Sequence, residues 1–281
     1  MRKCLLWLGI LFASFAQAQS VELGAMLGGS LYSGDLSPRE FGVYFTQINP
    51  AGGFFGRYNV NNFLSARLGI TLARISGDGD SSVTVVRPGF RSNISELALS
   101  LELHPFSFGS DNFRVRPYLF GGGAVFRFNP QTQFDGSWID LQALGTEGQG
   151  LPGYEAPYQL TQFSVPFGGG IKFVVNDAWT IGLEFGWRKT FTDYLDDISS
   201  TRVNYREVYE GNGRLAAFIS NALIPGPDGN EILYERGGQF LDWYHVGGIT
   251  LSYFLGGSSG YNGSGKGFGR GRGKAIGCPT F

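Results

Sequence analysis

Eight segments of this chain alternate apolar and polar residues, and the spacers between them alternate between long and short. The clearest segment is Trp179 to Arg188. Trp179, Ile181, Leu183, Phe185 and Trp187 fall on one face, and Thr180, Gly182, Glu184, Gly186 and Arg188 on the other. A period of two is that of a β-strand. Here the aromatics share the apolar face while glycine and charge share its opposite. A soluble sandwich could carry one such strand, but a barrel closed in lipid needs the pattern in nearly all of them.

The remaining segments follow suit. The first runs from Val21 to Tyr32 with Glu22 opposite the apolar face, and the second from Ala51 to Asn59. In the third, Leu64, Ala66, Leu68, Ile70 and Leu72 oppose Ser65, Arg67 and Thr71. The fourth sets Leu97, Leu99, Leu101 and Leu103 against Glu96, Ser100 and Glu102. The fifth, from Arg114 to Phe128, carries apolar residues and glycine on both faces and shows no clear side. The sixth opposes Phe163, Val165, Phe167, Ile171 and Phe173 to Ser164, Gly168, Gly170 and Lys172, and the eighth covers Trp243 to Phe254. Three spacers are short, roughly 3 to 9 residues, and rich in turn formers; the other four are roughly 14 to 50. The fold expected is all-β, an eight-stranded antiparallel transmembrane barrel with long extracellular loops, short periplasmic turns and both termini on the short-turn side.

The chain begins with Arg2 and Lys3, an apolar stretch from Leu5 to Phe15 and the small-x-small triplet Ala16-Gln17-Ala18. That reads as an export signal over residues 1–18, too short in its apolar part to span a bilayer. Residues 19–255 would form the barrel, and 256–281 a basic, Gly-rich periplasmic tail. Abundant glycine (45), phenylalanine (25) and tyrosine (13), with 16% charged residues, suit one membrane barrel better than two soluble domains. A formal charge of −1 gives the body no reason to seek a polyanion.

Glu22, Arg67, Glu96, Glu102, Glu184 and Arg188 fall on the lumen side. Eight strands leave a lumen that side chains fill, so these charges must pair and an open pore is not expected. The two histidines, His104 and His245, fall at opposite ends of the barrel and cannot share a site. No serine stands at motif spacing from either, so no enzymatic activity and no cofactor are expected. The run Asp193-Tyr194-Leu195-Asp196-Asp197-Ile198-Ser199 opens the longest loop. Clustered carboxylates can hold Ca²⁺, but the spacing is not that of a calcium loop. Asp193, Tyr194, Asp196 and Asp197 are therefore read as a structural loop motif. Arg214 to Asn221 is expected to form a short helix packing Leu215 and Phe218 over the barrel mouth. The tail carries Lys266, Arg270, Arg272 and Lys274 without an acidic residue, and ends near Cys278, the one cysteine left after signal removal. An odd cysteine in an oxidising compartment points to an intermolecular disulfide or a free thiol.

Several stretches resemble the outer-membrane barrel family that includes PorG of the Bacteroidetes type IX secretion system. They are Glu22-Leu23-Gly24, the run from Gly56 to Asn62, Arg91 to Leu97, Arg116 to Phe120, Asp193 to Ser199, Asp242-Trp243-Tyr244, and the basic tail closing on Cys278-Pro279. The resemblance implies a non-enzymatic component of the outer membrane that contacts a periplasmic ring of PorK- and PorN-like subunits. That machine exports proteins and in many species supports gliding motility. Two other classes stand beside it: a general barrel for envelope stability or adhesion, and a lipid-modifying barrel enzyme.

Overall fold

A computed structural model describes residues 21–37, 42–43, 45, 47–81, 85–107, 114–227 and 232–255. The signal segment 1–18 and the tail 256–281 lie outside the described residues. Eight long strands make the wall: β1 (Val21–Ser33), β2 (Asn49–Asn59), β3 (Leu64–Gly77), β4 (Phe90–Leu103), β5 (Val115–Arg127), β6 (Thr161–Val174), β7 (Trp179–Thr190) and β8 (Trp243–Phe254). Each pairs antiparallel with its sequence neighbours. β8 pairs back with β1, from Glu22 opposite Phe254 to Ser33 opposite Trp243, so no wall strand is left with an open edge. No helix among the described residues is long and apolar enough to cross a membrane; this molecule crosses with strands.

Alternation sets the facing. In β7, Leu183 is 52% exposed on the outer wall and Glu184 is 6% exposed in the lumen. The outer wall carries a continuous apolar belt, including Leu27, Phe54, Leu68, Leu97, Leu119, Phe163 and Ile249, all exposed. An exposed apolar surface of that extent belongs in hydrocarbon, which makes this a barrel of the outer-membrane type.

Two short turns close by the same device. Asn61 Oδ1 accepts from the backbone N–H groups of Phe63 and Leu64 at 2.9 and 2.8 Å, and Asn176 Oδ1 accepts from Ala178 and Trp179, each at 2.9 Å. The third, 104–114, is longer than the sequence pattern suggests and contains a 3₁₀ turn at Pro105–Ser107.

Three differences from the sequence pattern have physical causes. β4 begins at Phe90, not near Glu96, because Arg91, Asn93 and Ser95 put polar groups on the outer face and mask the alternation. β5 does have two faces. Arg116, Tyr118, Phe120 and Phe126 turn inward, where the aromatic rings fill the lumen opposite glycines of β6 and β7. A Cβ on Gly168 would lie 2.9 Å from the Phe120 ring, and one on Gly186 would lie 2.6 Å from it, so glycine is what admits that ring. In the long loop, the expected helix forms over Arg214–Ser220, but Ile219 is buried while Phe218 is exposed against Phe134. Leu215 and Ile219, four apart, share the packed face; Phe218 does not.

Candidate functional site

Inside the wall, the side chains build a filled lumen. Near the short-turn end, Arg57 pairs with Glu22 at 2.5 Å and, through Nε, with Glu102 at 2.8 Å. Glu102 also takes Lys172 at 2.6 Å and Arg67 at 3.7 Å, and Arg67 continues to Glu184, which accepts the Tyr118 hydroxyl at 2.5 Å. His104 sits here, 2.8 Å from the Lys172 ammonium. A second layer lies higher, where Glu96 accepts the Tyr244 hydroxyl at 2.6 Å and faces Arg188 at 3.4 Å. The void between the layers, lined by Arg67, Thr71, Glu96, Ser100, Glu184 and Arg188, has a volume of about 30 Å³. That is room for about one water molecule. The sequence shows these charges facing inward except Arg57, whose segment carries too little alternation to give it a side; the two-layer arrangement needs the strand register.

The long-loop end is sealed by a built lid. An apolar cluster including Phe90, Phe126, Phe128, Tyr158, Leu195, Ile198 and Ile219 closes the mouth, and Tyr158 stacks between Phe128 and Tyr194. Above it, strands Arg202–Asn204 and Leu233–Glu235 pair with each other. Helices α1 (Tyr205–Gly211) and α2 (Arg214–Ser220) pack with them around a second core of Val203, Val208, Ala217 and Tyr234. Asn204 caps α1, accepting from the Arg206 N–H at 3.1 Å.

The carboxylates of the Asp193–Ser199 run are consumed in this lid. Asp197, at φ 68°, turns the chain in the left-handed region that aspartate tolerates. Its carboxylate accepts from Thr146 and, at 2.7 Å, from Tyr158. Arg236 is 3.5 Å from Asp197 and 3.6 Å from Glu147, which in turn accepts from the Ser199 hydroxyl and N–H. Burial pushes the Glu147 carboxyl up to about 8, against the opposing pull of Arg236. Asp196 and Asp242 lie 2.6 and 3.0 Å from the same Tyr32 hydroxyl. A phenol has one proton to donate, so with both carboxylates ionised one contact has no proton between two oxygens. Burial, then the charge of Asp35 on Asp196 and of Asp196 on Asp242, raises both carboxyls well above the usual range. Tyr194 packs its ring into the stack, and the half-buried Asp193 adds its charge to those that raise Asp242. Among the described residues no group of three or more His, Cys, Asp or Glu side chains is arranged to hold a metal ion.

The outer wall carries a third pattern. Every charged side chain that faces outward on the eight strands is a cation: Arg74 on β3, Arg91 on β4, Arg127 on β5 and Lys189 on β7. All four stand at the long-loop ends of their strands, above the apolar belt. His245, at the same end, is buried on the outer side between Leu31 and Trp187 in register, and its ring stacks with Phe185. The two histidines are thus a barrel's height apart. The tail residues Lys266, Arg270, Arg272, Lys274 and Cys278 lie outside the described residues. The wall itself ends beside the short turns, where the Leu255 N–H donates to the Val21 carbonyl at 2.9 Å.

A family model described as "Domain of unknown function (DUF6089)" matches residues 2–217. No curated protein matches the chain. Among solved structures, the chain is similar to the N-terminal β-barrel domain of Pseudomonas aeruginosa OprF, with 13% identity, 84% of this chain and 96% of that chain covered, and a TM-score of 0.37. Neisserial surface protein A (NspA) shares 9% identity over 83% of this chain and 96% of its own, with a TM-score of 0.41. The outer membrane protein OprG from Pseudomonas aeruginosa shares 11% over 83% and 95%, with a TM-score of 0.39.

Proposed function

We propose that this chain, which belongs to the DUF6089 family, is a non-enzymatic outer-membrane component of a type IX protein secretion machine. It stands with its termini in the periplasm and anchors the ring assembly there. The observation that carries this reading is the filled lumen beneath a built lid. A barrel so plugged has surfaces to offer and no passage, which suits an anchoring role better than a transport one. The resemblance of Gly56 to Asn62, Arg91 to Leu97 and the basic tail to secretion-system barrels supplies the partner class, PorK- and PorN-like ring subunits.

The wall delivers the tail to the short-turn end. About 26 residues of Gly-rich chain from there reach tens of ångströms and raise the local concentration of whatever the tail meets. Lys266, Arg270, Arg272 and Lys274 steer the tail to an acidic face, and Cys278 locks it by an inter-subunit disulfide. Non-reducing gels of intact membranes test the link. A heavier, reductant-sensitive band that disappears in Cys278→Ser and contains a ring subunit is the expected result. Wild-type protein that runs only as monomer, with export unchanged on deletion of residues 260–281, would remove the anchoring role and leave a barrel of the stability or adhesion kind.

A further inference from the structure

The four outward cations are placed in a way that hydrocarbon alone does not explain. An outward charge on a barrel wall is costly at mid-membrane and nearly free at an interface, so the apolar belt fixes where charges can stand. It does not fix their sign, nor why the short-turn end has none. On the strands, the outward face holds Arg74, Arg91, Arg127 and Lys189, with no aspartate or glutamate at either end. Three of the four are on the adjacent strands β3, β4 and β5.

Register puts those three together. Arg74 lies opposite Asn93, and Arg127 opposite Ser95, so the two arginines flank successive outward positions of β4, with Arg91 next along that strand. With strands about 4.8 Å apart and about 6.8 Å between same-face residues, the Cα of Arg74 falls roughly 8 Å from that of Arg91 and roughly 12 Å from that of Arg127, with roughly 14 Å between Arg91 and Arg127. Guanidinium groups on such stems can converge on one anion. Their present partners are neutral: Arg74 Nε donates to Asn93 at 3.1 Å, and Arg91 Nε donates to Gln131 at 3.2 Å while its guanidinium lies 3.5 Å over the Trp138 ring. Among the described residues none of the three has a carboxylate within ion-pair distance. Below Arg74 and Arg127 on their own strands stand Leu72 and Val125, while below Arg91 come Asn93 and Ser95 before the wall turns apolar at Leu97. Three arginines with no carboxylate in direct contact (Asp140 reaches Arg91 only through Gln131), set above Leu72, Leu97 and Val125, match a molecule with phosphates at the headgroup level and acyl chains beneath.

We infer that Arg74, Arg91 and Arg127 form a binding site on the outer wall for the phosphates of an outer-leaflet glycolipid. The site rests on the placement proposed above, with the long loops outward, since only then does the triad meet that leaflet.

The test reconstitutes the full-length mature protein in nanodiscs of phosphatidylcholine doped with lipid A, with dephosphorylated lipid A or with phosphatidylglycerol, and counts lipid retained after detergent extraction by native mass spectrometry. Wild type should retain lipid A at about one per barrel and several-fold less of the other two. The R74Q/R91Q/R127Q variant should lose that preference, while Lys189→Gln, outside the triad, should keep it. Heat-modifiable migration on gels reports that each variant folds; should the triple variant not fold, the three single Arg→Gln variants, each expected to weaken retention, replace it. Equal retention of lipid A and its dephosphorylated form, or retention unchanged in the folded variants, would overturn the site. Equal retention of phosphatidylglycerol would also overturn it, as a mere preference for negative charge. Orientation is read separately, from antibody access to an epitope at residues 135–136 on intact cells. Lipid A retention with an inaccessible epitope would sink the placement and not the chemistry.

Discussion

At the scale of single residues, one strand shows how facing decides what a substitution costs. Leu183 is opposite Ile171 on β6 and Ile249 on β8, so it sits in the middle of the apolar belt. Leu183→Arg places a charge on the lipid face there and should cost about 2–4 kcal/mol. Gly182, one residue earlier, faces in, where a Cβ would come within 2.5 Å of the Thr250 hydroxyl. Gly182→Arg should therefore fail by overpacking the lumen, not by solvation. Urea titrations in detergent and in lipid separate the two: the Leu183 variant should recover in a thin-chain detergent micelle, and the Gly182 variant should not. A Leu183→Arg barrel as stable in lipid as wild type would refute the facing. Glu102 gives the matching test for the lumen. It neutralises Arg57 and Lys172 directly, so Glu102→Gln leaves buried cations short of a counter-charge and should cost about 3–5 kcal/mol. Pairing it with Lys172→Met should return part of that loss, and a double variant no better than the single would show that the two do not interact.

At the scale of elements, the lid is the part that answers to pH. Glu147, Asp196 and Asp242 are buried carboxyls whose protonated forms the folded lid favours. A carboxyl raised in the folded state contributes stability that is complete below its unfolded value and is lost as pH rises through the folded one. For Glu147 the window runs from 4.5 to about 8. Amide exchange in segment 191–242 should accelerate across that window, after correction for intrinsic exchange, while the β-wall stays protected. Glu147→Gln should flatten the slope, and exchange independent of pH in wild type would show that the lid does not carry these protons. The lid is also where the sequence says least. The wall is legible because each strand repeats one binary rule, and even there β5 hides its faces until the glycines of β6 and β7 show where Phe120 goes. The hairpin of Pro130–Phe134 and Ser137–Asp140 and helix α1 have no such repeat. They form because loops far apart in sequence share two small cores. Asp193, Tyr194, Asp196 and Asp197 stand out as a cluster in the sequence, but Glu147, Arg236, Tyr32 and Asp242, which use them, are scattered over the chain and carry no local signal. The arginine triad is likewise invisible until register puts Arg74, Arg91 and Arg127 on one patch.

At the scale of the whole molecule, two separate closures stand in series along one axis: the ion-paired lumen and the lid. An eight-stranded wall leaves space that side chains fill, and here they fill it with Glu102 among Arg57, Lys172 and Arg67 at one level and Glu96 held by Tyr244 and Arg188 at the next. At the long-loop end Phe90 and Phe126 of the wall, with Phe128, form an apolar stopper on which the lid's Leu195, Ile198 and Ile219 pack. Reconstituted protein should accordingly give no steady conductance in planar bilayers. The sharper expectation concerns which closure suffices. Removing residues 195–240 and joining the ends with a short Gly-Ser linker takes away the lid's helices but leaves Tyr118, Phe120, Arg67, Glu184 and Glu102 in place, so this shortened barrel should also stay electrically silent. Replacing Arg67 and Glu184 together by Ser in the shortened barrel widens the void of about 30 Å³ between the two layers. It does so without leaving either partner unpaired, although Tyr118 then loses its acceptor. Brief, irregular openings are expected only in that last form. Stable ion-selective steps from wild type, or from the shortened barrel with its lumen intact, would show that the paired charges line a path and do not plug one.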